Sequence, residues 1–555
     1  MKKIFYLILL LLYTCAFSHG QPYFTDAKVK RWLQRSEESM PILKYETKTP
    51  VAIVRLIKDE SAFQGYRMEK CGDINDLYQE SFSKHDGVII DFGEHLTGFL
   101  NFTLELLDDR DADAPTRLKF TCVEVPGELA PITFDSNVCG LSRAWIQDEQ
   151  ITLPTIPVES SISRRLSGRY VKIELLGLSS GFEFRFSKIE FKAQSAVSLI
   201  DMKLRKTTPW IIEEINKISL VTLKECMQTV YEDGPKRDRR LWIGDLYLES
   251  LANTVSYKNH MLTKRCLYLL AGCVNNEGLL RASVFEYPRP HPARNTYCLD
   301  YALLYNVALL EYYKATNDIE TVKDLWPVVV RQVEIALRQY DEEWLYDMDK
   351  GPDYWLVFDW NDKLDRHASM QALVIFSMTK SLELAKLIGL EKDVSDWFHI
   401  IKKMKEVARK KFYDQSRNVV VSGSMNQISY LSLAWMTLAD VLERQESMKA
   451  FKHIQTLKDV CRPCSPYAYH YVLEAMVKTG LADDARNLLI QYWGEMVNKG
   501  ADTFWEVFDP NNDYLSPYGY YPINSYCHAW SCTPVYFINK YPDIFQINTS
   551  VNFYR

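Results

Sequence analysis

The sequence predicts a two-domain β-plus-α chain, an N-terminal β-sandwich followed by an (α/α)6 barrel. Three observations predict it. Over residues 47–192 apolar side chains alternate with period two between turn residues. After Ser195 the apolar period becomes helical and stays so to about Tyr541. A chain of 555 residues, 47% of them hydrophobic, also exceeds what one ordinary core holds.

Residues 1–20, MKKIFYLILLLLYTCAFSHG, have a short basic start, an apolar run and then small residues, the pattern of a secretory signal peptide with cleavage near Gly20. The expectation is an exported protein, periplasmic or secreted. A lipoprotein anchored at Cys15 is disfavoured, because in Leu12, Tyr13 and Thr14 a bulky Tyr stands where a small residue is preferred. No later apolar run reaches the roughly 18 residues of a membrane span. A lead segment, 21–46, precedes the sandwich at 47–195. There Phe99, Asn101 and Thr103 face away from Leu100, Phe102 and Leu104, and Phe182, Phe184 and Phe186 share one face.

About twelve amphipathic segments fill 196–545, among them 210–230, 297–313, 319–340, 367–388, 394–412, 467–479 and 483–497, before a tail at 546–555. Twelve helices in pairs make an (α/α)6 toroid, whose loops at one end converge on a central cavity.

Three of those loops mix charge with aromatic rings. Residues 233–245 read DGPKRDRRLWIGD, residues 351–365 read GPDYWLVFDWNDKLD, and residues 501–534 contain TFWEVFDP and CHAWSCTP. Carboxylates beside aromatic rings fit sugar chemistry. Ring faces stack on the C–H patches of a pyranose, and apolar surroundings raise a carboxyl pKa into the range of acid catalysis. Two carboxylate clusters remote in sequence, meeting across one cavity, are the equipment of glycosidic-bond hydrolysis.

Other readings of the same residues stand beside this one. Asp245 follows Gly244 and is either a helix N-cap or a sugar contact. Trp242, Trp360, Trp505 and Trp530 are core residues or stacking platforms, and Asp359 and Asp362 hold a turn or bind hydroxyls. His528 lies close to Trp530. Glu286, with Pro288, Pro290 and Pro292, marks a stiff rim loop.

A net charge of −6, more negative still once Lys2 and Lys3 are removed, argues against a nucleic-acid partner. Twelve cysteines show no metal-like repeat. Cys461 and Cys464 form a lone C-x-x-C, read as a structural disulfide or two free thiols. No metal and no cofactor is expected, and the sequence carries no signal for oligomeric state.

In order, IIDFGEHLTGFL, DGPKRDRRLWIGD, FDWND, TFWE and HAWSCTP resemble the α-L-rhamnosidases of glycoside hydrolase family 78 over about residues 63–541. The resemblance implies an inverting hydrolase that removes terminal α-L-rhamnose, with a rhamnose-containing carbohydrate as partner. By motif position it implies Asp233 and Arg237 as sugar contacts, Asp238 as general acid, Trp242 as a pocket wall and Asp245 as the close of the motif. It also implies Glu506 as general base and His528 as a sugar contact.

One departure concerns the acid. The family more commonly has Glu there, whereas here Asp238 stands between Arg237 and Arg239, and both cations favour its charged form. Either the backbone compensates for the missing methylene, or another residue is the acid, or the activity is redirected. A barrel hydrolase for another sugar and a non-catalytic glycan-binding relative are the alternatives. The chain ends soon after the barrel, where many members carry a further sandwich.

Overall fold

The structure, a computed structural model, describes residues 21–547 except 85–86, 109–111, 113, 180, 294–295 and 351–353. The expected leader with Cys15 and most of the expected tail lie outside the described residues. Among the described residues no helix is long and apolar enough to cross a membrane.

A nine-stranded antiparallel sheet follows the lead segment, folded back on itself at the strand Val88–Leu106. The first part of that strand pairs with Ala52–Lys58 and Leu166–Gly177, and its second part with Phe184–Ser195 and Val158–Ser161. Two leaflets result, enclosing Phe82, Leu100, Phe102, Phe120, Phe184 and Phe186. Leu100, Phe102 and Leu104 are buried while Phe99, Asn101 and Thr103 are half-exposed, so the period-two alternation decides which face is core. At Gly98 the partner strand leaves no room for a side chain, since a Cβ would stand 2.0 Å from the Lys192 carbonyl oxygen.

Among the described residues twelve α-helices follow from Trp210 to Lys540, alternating between an outer and an inner ring. Ile243–Val255, Leu299–Thr316, His367–Ile388, Tyr430–Leu438, Pro466–Thr479 and Pro534–Lys540 form the inner ring. Each of the first four packs on the next, His470 of Pro466–Thr479 meets the Phe537 ring of Pro534–Lys540 at 5.0 Å, and Pro534–Lys540 returns to Ile243–Val255. Position explains composition. Every residue of inner Tyr430–Leu438 is buried. Outer Trp397–Phe412 instead buries one stripe, Trp397, Ile401, Met404, Ala408 and Phe412, and turns its lysines outward.

The expected helix 210–230 ends earlier, at Cys226. Residues 227–231 then form a bridge instead, and the Met227 carbonyl accepts from Ala196 N–H. The lead segment also gains structure. Asp26–Glu38 is a helix capped by Thr25 whose Trp32 is fully buried in the helical core. Each inner helix is entered from an outer one, so residues 227–242, 341–366 and 499–533 all lie at the end where inner helices begin.

Candidate active site

At that end lies a cavity of about 220 Å³, lined by Leu141, Asp233, Arg237, Asp238, Arg240, Trp242, Asp245, Tyr301, Trp355, Val357, Trp360, Glu506, Tyr518, His528 and Trp530. It is small beside the roughly 300–1,000 Å³ of common ligand clefts, a size for one sugar unit. Nine of the eleven sequence-selected residues line it: Asp233, Arg237, Asp238, Trp242, Asp245, Trp360, Glu506, His528 and Trp530.

Residues 233–242 wrap around the Asp233 carboxylate, which accepts the backbone N–H of Asp238 at 3.1 and 3.2 Å and that of Arg240 at 3.1 Å. This closed loop carries Arg237 and Asp238 into the cavity. Gly234 is required there, since a Cβ would lie 2.4 Å from Ser525 Oγ. Burial, reinforced by the Asp238 and Asp245 charges, pushes the Asp233 carboxyl up to about 8.

Arg237 is buried and spans both candidate catalytic groups. One arm of its fork donates to Glu506 Oε2, the other lies 3.3 Å from Asp238 Oδ1, and Nε donates to the Ile523 carbonyl at 3.0 Å. Its guanidinium stacks 4.3 Å above the Tyr518 ring. Asp238 Oδ2 also lies 3.3 Å from Arg240 Nη1. The flanking cation is therefore Arg240. Arg239 turns away, donating to the Pro235 and Arg165 carbonyls.

Glu506 is held at both oxygens. Tyr518 Oη donates to Oε1, and Ser525 N–H donates to Oε2 at 3.2 Å beside the Arg237 arm. Burial alone would push its carboxyl up. Arg237, then His528, Tyr518 and the Ser525 N–H outweigh it and hold the group below its ordinary value. Glu506 is thus ionised at neutral pH.

Asp245 is the third residue of helix Ile243–Val255, whose N-cap is Trp242, so it is no cap. It faces His528, with Oδ1 3.3 Å from Nε2, and burial raises its carboxyl pKa. Trp242, Trp355, Trp360 and Tyr518 follow one another around the wall at centroid distances of 6.3, 5.8 and 5.6 Å. The indole N–H groups of Trp242 and Trp360 are buried without a hydrogen-bond partner among the described residues.

Two candidates lie outside the lining. Trp505 is 1% exposed and stacks on Phe63 at 4.1 Å, packing the barrel against the N-terminal domain. Asp359 accepts from Cys464 N–H at 2.9 Å and from Ser465 Oγ, bracing its loop to the start of Pro466–Thr479. Glu286 is likewise structural, paired with Arg265 at 2.6 Å. Cys461 and Cys464 are free thiols. Among the described residues no group of His, Cys, Asp and Glu is arranged to hold a metal ion.

Sequence reasoning missed Tyr518, Trp355, Tyr301, Arg240, Val357 and Leu141. Trp355, Val357 and Tyr518 stand in loops already singled out for composition, and Arg240 within the first motif. Leu141 comes from the other domain, with no local signal.

Residues 50–193 match the glycosyl hydrolase family 78 alpha-rhamnosidase N-terminal domain, and residues 206–541 match the bacterial alpha-L-rhamnosidase six-hairpin glycosidase domain. Among solved structures the chain is similar to the rhamnosidase from Klebsiella oxytoca with rhamnose bound. Identity is 35% across 92% of this chain and 99% of that one, with a TM-score of 0.88. The family 78 rhamnosidase of Bacillus sp. GL1 is 19% identical over 81% of this chain and 46% of its own, with a TM-score of 0.68. The Streptomyces avermitilis alpha-L-rhamnosidase complexed with L-rhamnose is 14% identical over 90% and 44%, with a TM-score of 0.63. At such identities these two speak for the fold alone. No curated protein matches the chain significantly.

Proposed function

The chain belongs to glycoside hydrolase family 78 and is a glycoside hydrolase, and from that premise we propose that it removes terminal α-L-rhamnose from oligosaccharides, polysaccharides or glycosides with inversion at the anomeric carbon. The observation that carries this reading is the shared cavity. Asp238 and Glu506, remote in sequence, line a space for one sugar unit and are spanned by one guanidinium.

Glu506, ionised, takes a proton from a water that attacks the anomeric carbon. Asp238 delivers a proton to the departing glycosidic oxygen as the C–O bond breaks. Arg237 keeps Glu506 charged and orients it. Asp233, Asp245 and His528 are placed for sugar hydroxyls. The wall of Trp242, Trp355, Val357 and Trp360 suits the apolar ring face and the methyl group that distinguishes rhamnose. A cavity this small supports exo action. The leader-like first twenty residues support export to the periplasm or medium.

The test is hydrolysis of an aryl α-L-rhamnoside followed by proton NMR during the first turnovers. β-L-Rhamnose appearing before mutarotation is expected, together with loss of release in Asp238→Asn. Release of α-L-rhamnose first would rule out inversion. Absence of release from every rhamnoside, with sugar binding retained, would turn the reading to a glycan-binding protein.

A further inference from the structure

Behind the cavity, where the sheet domain meets the barrel, lies a buried group of charges that the hydrolysis above does not use. Glu124, directly after the strand Thr116–Val123, has a fully buried side chain. Its Oε2 lies 2.9 Å from Lys236 Nζ and accepts the backbone N–H of Tyr526 at 2.6 Å. Its Oε1 lies 3.3 Å from His95 Nε2 and accepts from Ser167 Oγ at 3.4 Å. Lys236 Nζ also meets Glu128 Oε2 at 2.9 Å, while Glu128 Oε1 accepts the N–H groups of Glu124 and Val125.

The two groups gripped by Glu124 Oε2 share a relation to Glu506. Lys236 precedes Arg237, whose guanidinium donates to Glu506 Oε2. Tyr526 follows Ser525, whose N–H donates to the same oxygen at 3.2 Å. One carboxylate oxygen of the sheet domain therefore anchors both segments that hold one carboxylate oxygen of the barrel. Burial alone would push Glu124 up, but Lys236, then His95 and the Tyr526 N–H, hold its carboxyl down at about 2, so the anchor stays charged.

We propose that Glu124 is a positioning residue for Glu506: the N-terminal domain completes the active site by fixing, through Lys236 and Tyr526, the two partners that orient the base. The consequence for catalysis rests on the role assigned to Glu506 above. The domain junction itself stands independently of it. A junction serving cohesion alone needs no anchoring on both sides of the base. This one has its arms one residue from each of the two donors to Oε2.

The experiment compares wild type, Glu124→Gln and Glu128→Gln by steady-state kinetics across pH on an aryl α-L-rhamnoside and by backbone hydrogen exchange. In Glu124→Gln, kcat should fall about ten- to a hundredfold, as a misplacement on the ångström scale does, while KM changes little. Glu506 is faced by Arg237, the Ser525 N–H, Tyr518, His528 and Asp245. Loosening the first two raises its pKa, so the acid limb of kcat/KM moves to higher pH. Residues 233–245 and 520–528 should exchange faster while helix His367–Ile388, remote from Glu124, does not. Glu128→Gln keeps the Tyr526 arm and should leave 520–528 protected.

Faster exchange throughout the chain, with the acid limb unmoved, would reduce Glu124 to a structural residue and overturn the proposal. So would unchanged exchange in either segment. If wild type released no sugar from any rhamnoside, the proposed function would fail, and the exchange comparison would still decide whether Glu124 anchors both segments. Should Glu124→Gln fail to accumulate, Lys236→Met severs one arm only and should loosen 233–245 alone; no loosening there would overturn the proposal equally.

Discussion

His528 Nε2 lies 3.3 Å from Asp245 Oδ1 inside the cavity, and neither ring nitrogen of His528 makes an aligned hydrogen bond among the described residues. Burial pushes the imidazole pKa down, but Asp245, then Glu506 and Asp233, outweigh it and raise the pKa above its ordinary value. A buried pair with spare donor capacity is matched to a ligand that brings oxygen acceptors. His528→Ala should therefore weaken L-rhamnose binding about two- to tenfold, the worth of one net hydrogen bond, roughly 0.5–1.5 kcal/mol. Calorimetric titration with L-rhamnose reads this directly. An unchanged Kd would remove His528 from the sugar site.

Tyr518→Phe tests how Glu506 is kept ionised. The phenol donates to Glu506 Oε1, and the ring also carries the Arg237 guanidinium, a contact phenylalanine retains. Removing only the hydroxyl takes away one of the interactions that hold the carboxyl down, so its pKa rises. The acid limb of kcat/KM should move to higher pH, with kcat on the plateau reduced severalfold. A group whose folded pKa is depressed stabilises the fold above its unfolded value and loses that contribution as pH falls through the folded value. Acid unfolding should accordingly begin at higher pH in the variant. A superimposable pH profile would show that Arg237, His528 and Ser525 suffice.

Gly244→Ala weighs helix propensity against packing. Gly244 is the second residue of helix Ile243–Val255, where alanine is intrinsically better by at most the roughly 0.8–1.0 kcal/mol of a helix interior. An added Cβ would meet the Tyr301 ring at 2.4 Å, and that ring is rigid and itself lines the cavity. Overpacking of this kind costs roughly 1–3 kcal/mol, so the clash wins. The variant should show a lower Tm, and kcat/KM should fall more than tenfold as Tyr301 shifts, an expectation at the scale of a 1 Å displacement. A raised Tm with unchanged kcat/KM would mean that Tyr301 yields freely.

What the sequence made legible follows from what alternation and charge encode. The helix His367–Ile388 matches its periodicity to the residue because Gly389 ends it in a left-handed conformation that glycine tolerates. The motif residues Asp233, Arg237, Asp238, Glu506 and His528 stood out because buried charge needs a reason. Trp505 and Asp359 were misjudged for a geometric cause. Both lie in irregular loop backbone whose side-chain directions follow no period: Trp505 turns to Phe63 while Glu506 enters the cavity, and Asp359 turns to Ser465 while Trp360 enters it. Tyr518 was hidden among 34 tyrosines, and Leu141 reaches the cavity only through the docking of the two domains. Glu124 was invisible for the same reason, since its partners Lys236 and Tyr526 are over 100 and 400 residues away.

Asp233→Asn gives the sharpest pH test. Asp233 titrates at about 8 in the folded protein, raised by burial first and by Asp238 and Asp245 after it, against roughly 3.9 in an unfolded chain. Between those values the folded state holds a proton that the unfolded state has lost. Stability from this group is therefore fully present below the unfolded value and declines as pH rises, until the folded group ionises near 8. The slope is at most about 1.4 kcal/mol per pH unit. Asparagine keeps a carbonyl oxygen for the N–H groups of Asp238 and Arg240 but does not titrate, so the variant lacks this decline. Denaturant unfolding of both proteins at pH 5, 6.5 and 8 should show the variant gaining on wild type at each step. Parallel curves would mean that Asp233 is already ionised in the folded state, held by its backbone donors.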